Sequence, residues 1–320
     1  MLTGWQQRWL AVSMLAFVSG CASDIRNMLS DLEQQGGDVE LIQTPFYPQV
    51  TDQCGPSALA AILNSSGVTV TPEALKSQIY IPGRQGSLQI ELLAATRGYG
   101  RMPYVIDTDI SALLAEVRGG RPVLVLQNLG SNLAPIWHYA VVVGYLADER
   151  RLVLRSGDQK RHVTSASRFI RTWQRAGYWG VLALQPGEMP ASPDADKYVR
   201  SVAAVEAIGH IESAVAGYRA ATERWPEHSL AWLGVGNAYY AQGKLASAEN
   251  AYKRLLSMDS DHLIALNNLS QVQIDRGCFE DASATLDAAL SAAKENTTIY
   301  RTIQEARRDI EFRNSSAACL

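Results

Sequence analysis

The chain has no surplus of charge of one sign: 29 Lys and Arg stand against 32 Asp and Glu, for a net charge of −3. Binding to a phosphate backbone is driven by a basic face that releases counterions, so this balance predicts no nucleic-acid partner. Histidine and cysteine are scarce as well, at five and four in 320 residues. They form no CxxC or HExxH spacing, and no metal site and no cofactor are expected. An exported chain that needs staples pairs its cysteines. Here Cys54, Cys278 and Cys319 lie far apart in sequence, and no disulfide framework is expected. Long hydrophobic runs are missing too. The uncharged stretch Trp9 to Val18, preceded by Arg8, is too short to span as a stable membrane helix and reads as a secretory signal.

With 47% apolar residues the chain is long enough for two domains with proper cores. Gln185 to Asp194 holds three prolines and a glycine, which break both helix and strand. We place the linker at residues 188–194, after a first domain over 38–187. Near the N-terminus, Val18-Ser19-Gly20-Cys21 resembles a bacterial lipobox, with Val18 in place of the usual leucine. That resemblance implies a signal over residues 1–20, a lipid on Cys21 and a tether over 21–37. Each buried acyl methylene then contributes roughly 0.8 kcal/mol to holding the protein on a membrane. Ala22 rather than Asp follows the cysteine, which by resemblance to sorted lipoproteins implies the periplasmic face of the outer membrane in a bacterial cell envelope.

The most informative stretch runs from Tyr47 to Asn64, a polar loop ending in Cys54-Gly55-Pro56 and an apolar segment. Pro56 suits a first helical turn, because its missing N–H would be unsatisfied there anyway. Cys54 is therefore expected at a helix N-terminus. Unpaired backbone N–H groups and the dipole there favour a thiolate, and can move a thiol from about 8.5 to between roughly 3.5 and 7.5. Gly55 is expected to leave room for a substrate to approach.

Periodicity predicts helices from the cysteine to Ser65, from Pro72 to Ile79, from Ser87 to Arg97 with Gly98 as a left-handed cap, and from Asp109 to Arg118. The pattern then changes. A short strand at Val39–Ile42 and the runs Pro122–Gln127, His138–Tyr145, Arg151–Arg155 and Trp179–Leu184 read as strands of one sheet. Helices first and an antiparallel sheet second predict an α+β domain.

A cysteine nucleophile needs an imidazole to exchange its proton. The first domain offers two. His138 opens the most apolar strand behind Trp137, whereas His162 lies among Lys160 and Arg161 and reads as a solvated residue. Gln49-x4-Cys54-Gly-Pro, the strand Trp137-His138-Tyr-Ala-Val-Val-Val-Gly-Tyr and the stretch Gly86 to Arg97 together resemble the papain-like cysteine peptidases that trim double-glycine leaders from bacteriocins. The resemblance covers about residues 43 to 185. It implies a papain-like α+β fold and a peptidase that uses Cys54 as nucleophile, His138 as base and Gln49 as oxyanion donor, with Gln53 as the other glutamine for that role. The family's orienting residue is an Asp followed by Pro. Here Ser156-Gly157 stands at that place, and Asp158, two residues on, is taken as the third catalytic group. The missing membrane-spanning and nucleotide-binding parts mean that a double-glycine substrate does not carry over. A non-catalytic domain that binds an extended peptide is the alternative from another class, and thiol-based transfer to a non-protein acceptor is a third.

Beyond the linker the composition turns to alanine, with a period of about 34 residues. Trp232, Gly236, Tyr239, Ala248 and Tyr252 stand at tetratricopeptide spacings. Leu266, Leu269, Ala282, Leu286 and Ala289 follow one period later, and Tyr198, Ala214, Tyr218, Ala221 and Pro226 precede one period earlier. Three such repeats over 195–296 form a short all-α solenoid, with a capping helix and tail over 297–320. The resemblance implies a concave face for a peptide or protein partner.

Overall fold

The computed structural model describes residues 26–32, 36–49, 53–84, 86–295 and 297–313. The signal, Cys21 and Cys319 lie outside these residues. No helix among the described residues is long and apolar enough to cross a membrane.

The chain divides into two compact units, the first ending at Leu184 with residues 190–192 added, the second taking residues 185–189 and everything from Pro193. In the first unit, β1 (Val39–Glu40) is followed by α1 (Cys54–Ser65), α2 (Pro72–Ile79), α3 (Gln89–Gly98), β2 (Met102–Val105) and α4 (Ile110–Arg118). Then come β3 (Val123–Asn128), β4 (Trp137–Leu146), β5 (Arg151–Ser156), β6 (Gln159–Ser165), α5 (Ala166–Gln174) and β7 (Gly180–Leu184). The strands pair antiparallel in the order β2-β7-β3-β4-β5-β6, with β1 on the far end of β4. Gly144 makes that last pairing possible, because a Cβ there would stand 2.6 Å from the Val39 carbonyl oxygen.

The α1 helix is apolar nearly all round, as its sequence demands of a central helix. Leu59, Ile62 and Leu63 are buried, packed against Tyr139, Val141 and Val143 of β4. Each such side chain contributes roughly 1.5–3 kcal/mol by leaving water. The α2 helix starts at Thr71, whose side chain accepts from the Ala74 N–H, and Asp109 caps α4 by accepting from Ser111.

Two expectations are corrected and one gap is filled. The left-handed glycine after α3 is Gly100 (φ +67°), because Gly98 is still helical and the chain turns two residues later. The strand β6 and helix α5 fill a stretch for which the sequence reading assigns no element. Lys160, Arg161 and the other polar residues of β6 belong to an edge strand, where polar side chains are no obstacle, and α5 hides Phe169, Ile170 and Trp173 on one face only. Cys278, buried at the N-cap of its helix, is disulfide-bonded despite the expectation of no staple. Separation along the chain is a weak barrier, since loop closure costs only the logarithm of loop length.

The second unit contains α6 (Ala195–Glu206), α7 (Ile211–Arg224), α8 (Ser229–Ala241), α9 (Leu245–Leu256), α10 (Leu263–Asp275), α11 (Phe279–Ala292) and α12 (Thr298–Arg313). The first six form three antiparallel pairs. Small residues let them close up: a Cβ on Gly234 would stand 2.4 Å from the Tyr218 ring, and one on Gly236 would stand 2.5 Å from Tyr252. Ala214, Ala248, Ala282 and Ala289 are fully buried at the repeat positions.

Candidate active site

Cys54 is the first residue of α1 and keeps its thiol, half-buried against the core. Gln53 is the N-cap; its side chain makes no cap bond, while its carbonyl accepts from the Ser57 N–H at 3.0 Å. The thiol lines a cavity of about 480 Å³ together with Ser87, Leu88, Leu126, Trp137 and Tyr139. Tyr139 is buried, and its hydroxyl donates to the Ser87 carbonyl at 3.2 Å. Burial first, and the neighbouring Cys54 second, push the Tyr139 hydroxyl well above the usual tyrosine range, so it stays a neutral donor. The room left by Gly55 is taken by Ser87 rather than by open space: an added Cβ would meet the Ser87 Cβ at 2.9 Å. The Ser87 Oγ is itself buried with no hydrogen-bond partner among the described residues.

His138 follows Trp137 at the start of β4 and lines a second cavity, of about 890 Å³, with Gln127, Ser156 and His162. The register pairs His138 with Gln127 of β3, and Gln127 donates to the Thr172 hydroxyl on α5 at 2.6 Å. His138 Nε2 and Ser156 Oγ are 2.8 Å apart. The serine at the end of β5 therefore stands on the ring nitrogen, at the position where the resembled family has its aspartate. Asp158 lies exposed in the β5–β6 turn. Burial, and secondarily the charge of His162, hold His138 below the usual imidazole range; burial and then Arg168 do the same to His162.

Gln49 ties the cysteine loop to both strands. Its Nε2 donates to the Tyr139 carbonyl at 3.2 Å, its Oε1 accepts from the Gly157 N–H at 3.1 Å, and its own N–H donates to the Gly157 carbonyl at 2.9 Å. One residue before Ser156, buried Arg155 points into the other side of the strand. It donates to the carbonyls of Thr44 (3.2 Å), Lys160 (2.7 Å), Leu41 and Ile42 (both 3.3 Å). Burial lowers its pKa, and no carboxylate is hydrogen-bonded to it in these four contacts.

Of the residues expected from sequence, Cys54 and Gln49 meet the strand at Tyr139, and His138 meets Ser156 beside it. Asp158 joins neither group. The alternation of β4 was the available signal for Trp137 and Tyr139 flanking the thiol cavity. The cationic wall of the second cavity, built partly on α5, was missed together with that helix.

Residues 41–181 match the model of the Peptidase_C39 like family, and residues 204–249 and 240–306 match tetratricopeptide repeat models. Among solved structures, the chain is similar to a protein from Bacillus anthracis described as a C39-like peptidase, at 18% identity and a TM-score of 0.39, covering 46% of this chain and 96% of that one. It is similar also to the TPR2B domain of yeast Sti1 in a pHsp70 complex, at 19% identity and a TM-score of 0.36, covering 38% and 98%. A curated relative, the uncharacterized protein ycf37 of Porphyra purpurea, is 34% identical over 62 residues, which is 19% of this chain and 36% of that protein. The chain thus spans about a third of that relative's length. The match over 41–181 and the repeat matches after it identify a Peptidase_C39-like domain followed by tetratricopeptide repeats.

Proposed function

We propose that the first unit is a cysteine peptidase in which Cys54 is the nucleophile, His138 the proton carrier and Ser156 the group that orients it. The observation that carries this reading is the 2.8 Å contact of Ser156 Oγ with His138 Nε2, which fixes one ring nitrogen and leaves Nδ1 for exchange with a thiol. The Cys54 sulfur attacks a peptide carbonyl carbon, its proton going to His138. The C–N bond breaks as His138 hands that proton to the departing amine. Water then attacks the thioester, returns a proton through His138 and releases a carboxylic acid and the thiol. The developing oxyanion is held by the Cys54 N–H and by Gln49, whose Nε2 carries two hydrogens of which the Tyr139 carbonyl takes one. Such a donor is worth roughly 3–4 kcal/mol of barrier in known enzymes.

In the same proposal Cys21 carries lipid, the chain sits on the periplasmic face of the outer membrane, and the repeats recruit a protein substrate or partner. Metabolic acyl labelling that is lost in Cys21→Ala tests the anchor. A peptidyl electrophile incubated with the full chain tests the chemistry: labelling at Cys54 that disappears in His138→Ala supports it, and indiscriminate labelling of cysteines sinks it.

A non-catalytic peptide-binding and scaffolding role is the second reading. It is favoured by the bracing use of Gln49 and by the exposed position of Asp158. Under that reading the thiol reacts no faster than a small-molecule thiol of the same pKa.

A further inference from the structure

The cavity beside His138 has a wall that peptide hydrolysis does not require. Arg151 of β5, Arg168 and Arg171 of α5, and Arg175 at the C-cap of α5 all line it, and no Asp or Glu does. Two of these cations are partly engaged. Arg151 pairs with Glu149 at 3.2 Å on the exposed surface, and the Arg175 Nε donates to the Asn128 carbonyl at 3.2 Å. Arg168 and Arg171 are exposed and make no side-chain hydrogen bond or ion pair among the described residues. They stand three apart on α5, with Arg175 four further on, so all three share the face opposite Phe169, Ile170 and Trp173. Four guanidinium groups around one space, with Glu149 on Arg151 as the carboxylate paired to them, make a focused positive potential in a chain whose net charge is −3.

We propose that this cavity binds the carboxylates of an acidic peptide segment, held by Arg168 and Arg171 and flanked by Arg151 and Arg175. A planar guanidinium takes a carboxylate through two parallel N–H bonds, which suits these residues better than lysines would. At about 890 Å³ the space exceeds what a single inorganic anion fills and lies in the range of pockets that enclose extended ligands. The neighbouring thiol cavity argues for a peptide over a nucleic acid. Trp137 and Tyr139 line that cavity and His138, facing the other side of the sheet, lines this one, so a polymer passing round the start of β4 meets cations on one face and Leu88, Leu126 and Trp137 on the other. Acidic and apolar side chains in one polypeptide satisfy both; a uniformly charged phosphate backbone does not.

This inference rests on the peptidase reading for its choice of ligand, and its test is independent of catalysis. Full-length Cys54→Ala protein is titrated into fluorescein-labelled hexaglutamate and hexaglutamine peptides at low salt, with anisotropy as the readout. Hexaglutamate is expected to bind about tenfold tighter or more, a difference of about 1.4 kcal/mol, and to lose that advantage in Arg168→Glu/Arg171→Glu. The pair Arg168→Gln/Arg171→Gln, which preserves the exposed face without reversing charge, is expected to lose most of it. Equal binding of the two peptides, or unchanged affinity in both double variants, overturns the proposal. So does a ten-residue oligothymidylate that binds tighter than hexaglutamate, or inorganic phosphate that displaces the peptide at equal concentration. Hexaglutamate binding in a protein whose Cys54 shows no preferential labelling would retain the acidic-peptide site and remove the peptidase reading alone.

Discussion

Two cavities share the first three residues of β4, and they are made of opposite materials. The thiol side is walled by Leu88, Leu126, Trp137 and Tyr139, with Arg84 as its charged member; the imidazole side carries four arginines and two histidines. A thiolate is favoured by positive charge nearby, whereas an imidazolium is opposed by it. The arrangement keeps these four cations out of the Cys54 cavity, while burial first and His162 second hold His138 below the usual imidazole range. In the proposed reaction a base that starts neutral is ready to take the thiol proton, and the neutral hydroxyl of Ser156 does not oppose that state as a carboxylate would.

The largest effect that tests this contrast is the loss of the Cys54 thiol, the proposed nucleophile. Cys54→Ala is expected to reduce peptide hydrolysis by about 10³-fold or more while leaving hexaglutamate binding intact, measured side by side on one preparation. His138→Ala is expected to cost about 10²–10⁴-fold in turnover, the span of general acid–base catalysis. If both functions fell together in either variant, the two cavities would be one site.

Next in size are changes in the frame. Arg155→Met takes a donor from four backbone carbonyls; that of Leu41 still accepts from the Thr44 N–H and Ile42 and Lys160 are exposed, so the cost of about 1–3 kcal/mol for a buried group left unsatisfied falls mainly on Thr44. Chemical denaturation should show a loss of about 1–3 kcal/mol. Gly55→Ala drives a methyl into Ser87, at an expected cost of about 1–3 kcal/mol, and should perturb the thiol cavity before the cationic one.

The smallest change should be the most instructive. Ser156→Asp sets a carboxylate against His138 Nε2, raises the proton affinity of the ring and widens the pH range in which imidazolium and thiolate coexist. Histidine NMR titration and the pH profile of Cys54 alkylation read it directly. In the native protein the sign is opposite: as pH falls through the ordinary imidazole value, the unfolded chain takes up protons that His138 and His162 resist, and stability declines. Ser156→Asp should lessen that acid-side loss.

Much of this was legible in the sequence because it depends on local rules. Pro56 and the apolar run after it placed α1, and the β-branched and aromatic run from His138 to Tyr145 placed β4. The repeat phase placed the helix pairs of the second unit. What escaped depended on pairing at a distance. β6 has too few apolar residues to read as a strand until β5 is beside it, and α5 is short, with Arg168 and Arg171 among its nine residues. The partner of His138 was open between Ser156 and Asp158 because a β-turn decides which of two nearby side chains reaches back along a strand, and the composition of the turn is compatible with either. The arginine wall needed both β5 and α5 in place before its members became neighbours.

The clamp made by Arg155 has one further consequence. Its acceptors are carbonyl oxygens, which do not titrate, and a guanidinium keeps its proton throughout the range a protein meets. A latch of carboxylates at the same place would open on acidification. This one ties Leu41, Ile42 and Thr44 to the strand that carries Ser156 with the same grip in acid and in alkali. Amide hydrogen exchange at Thr44, corrected for intrinsic rate, should therefore stay flat across the pH interval in which the two histidines change state.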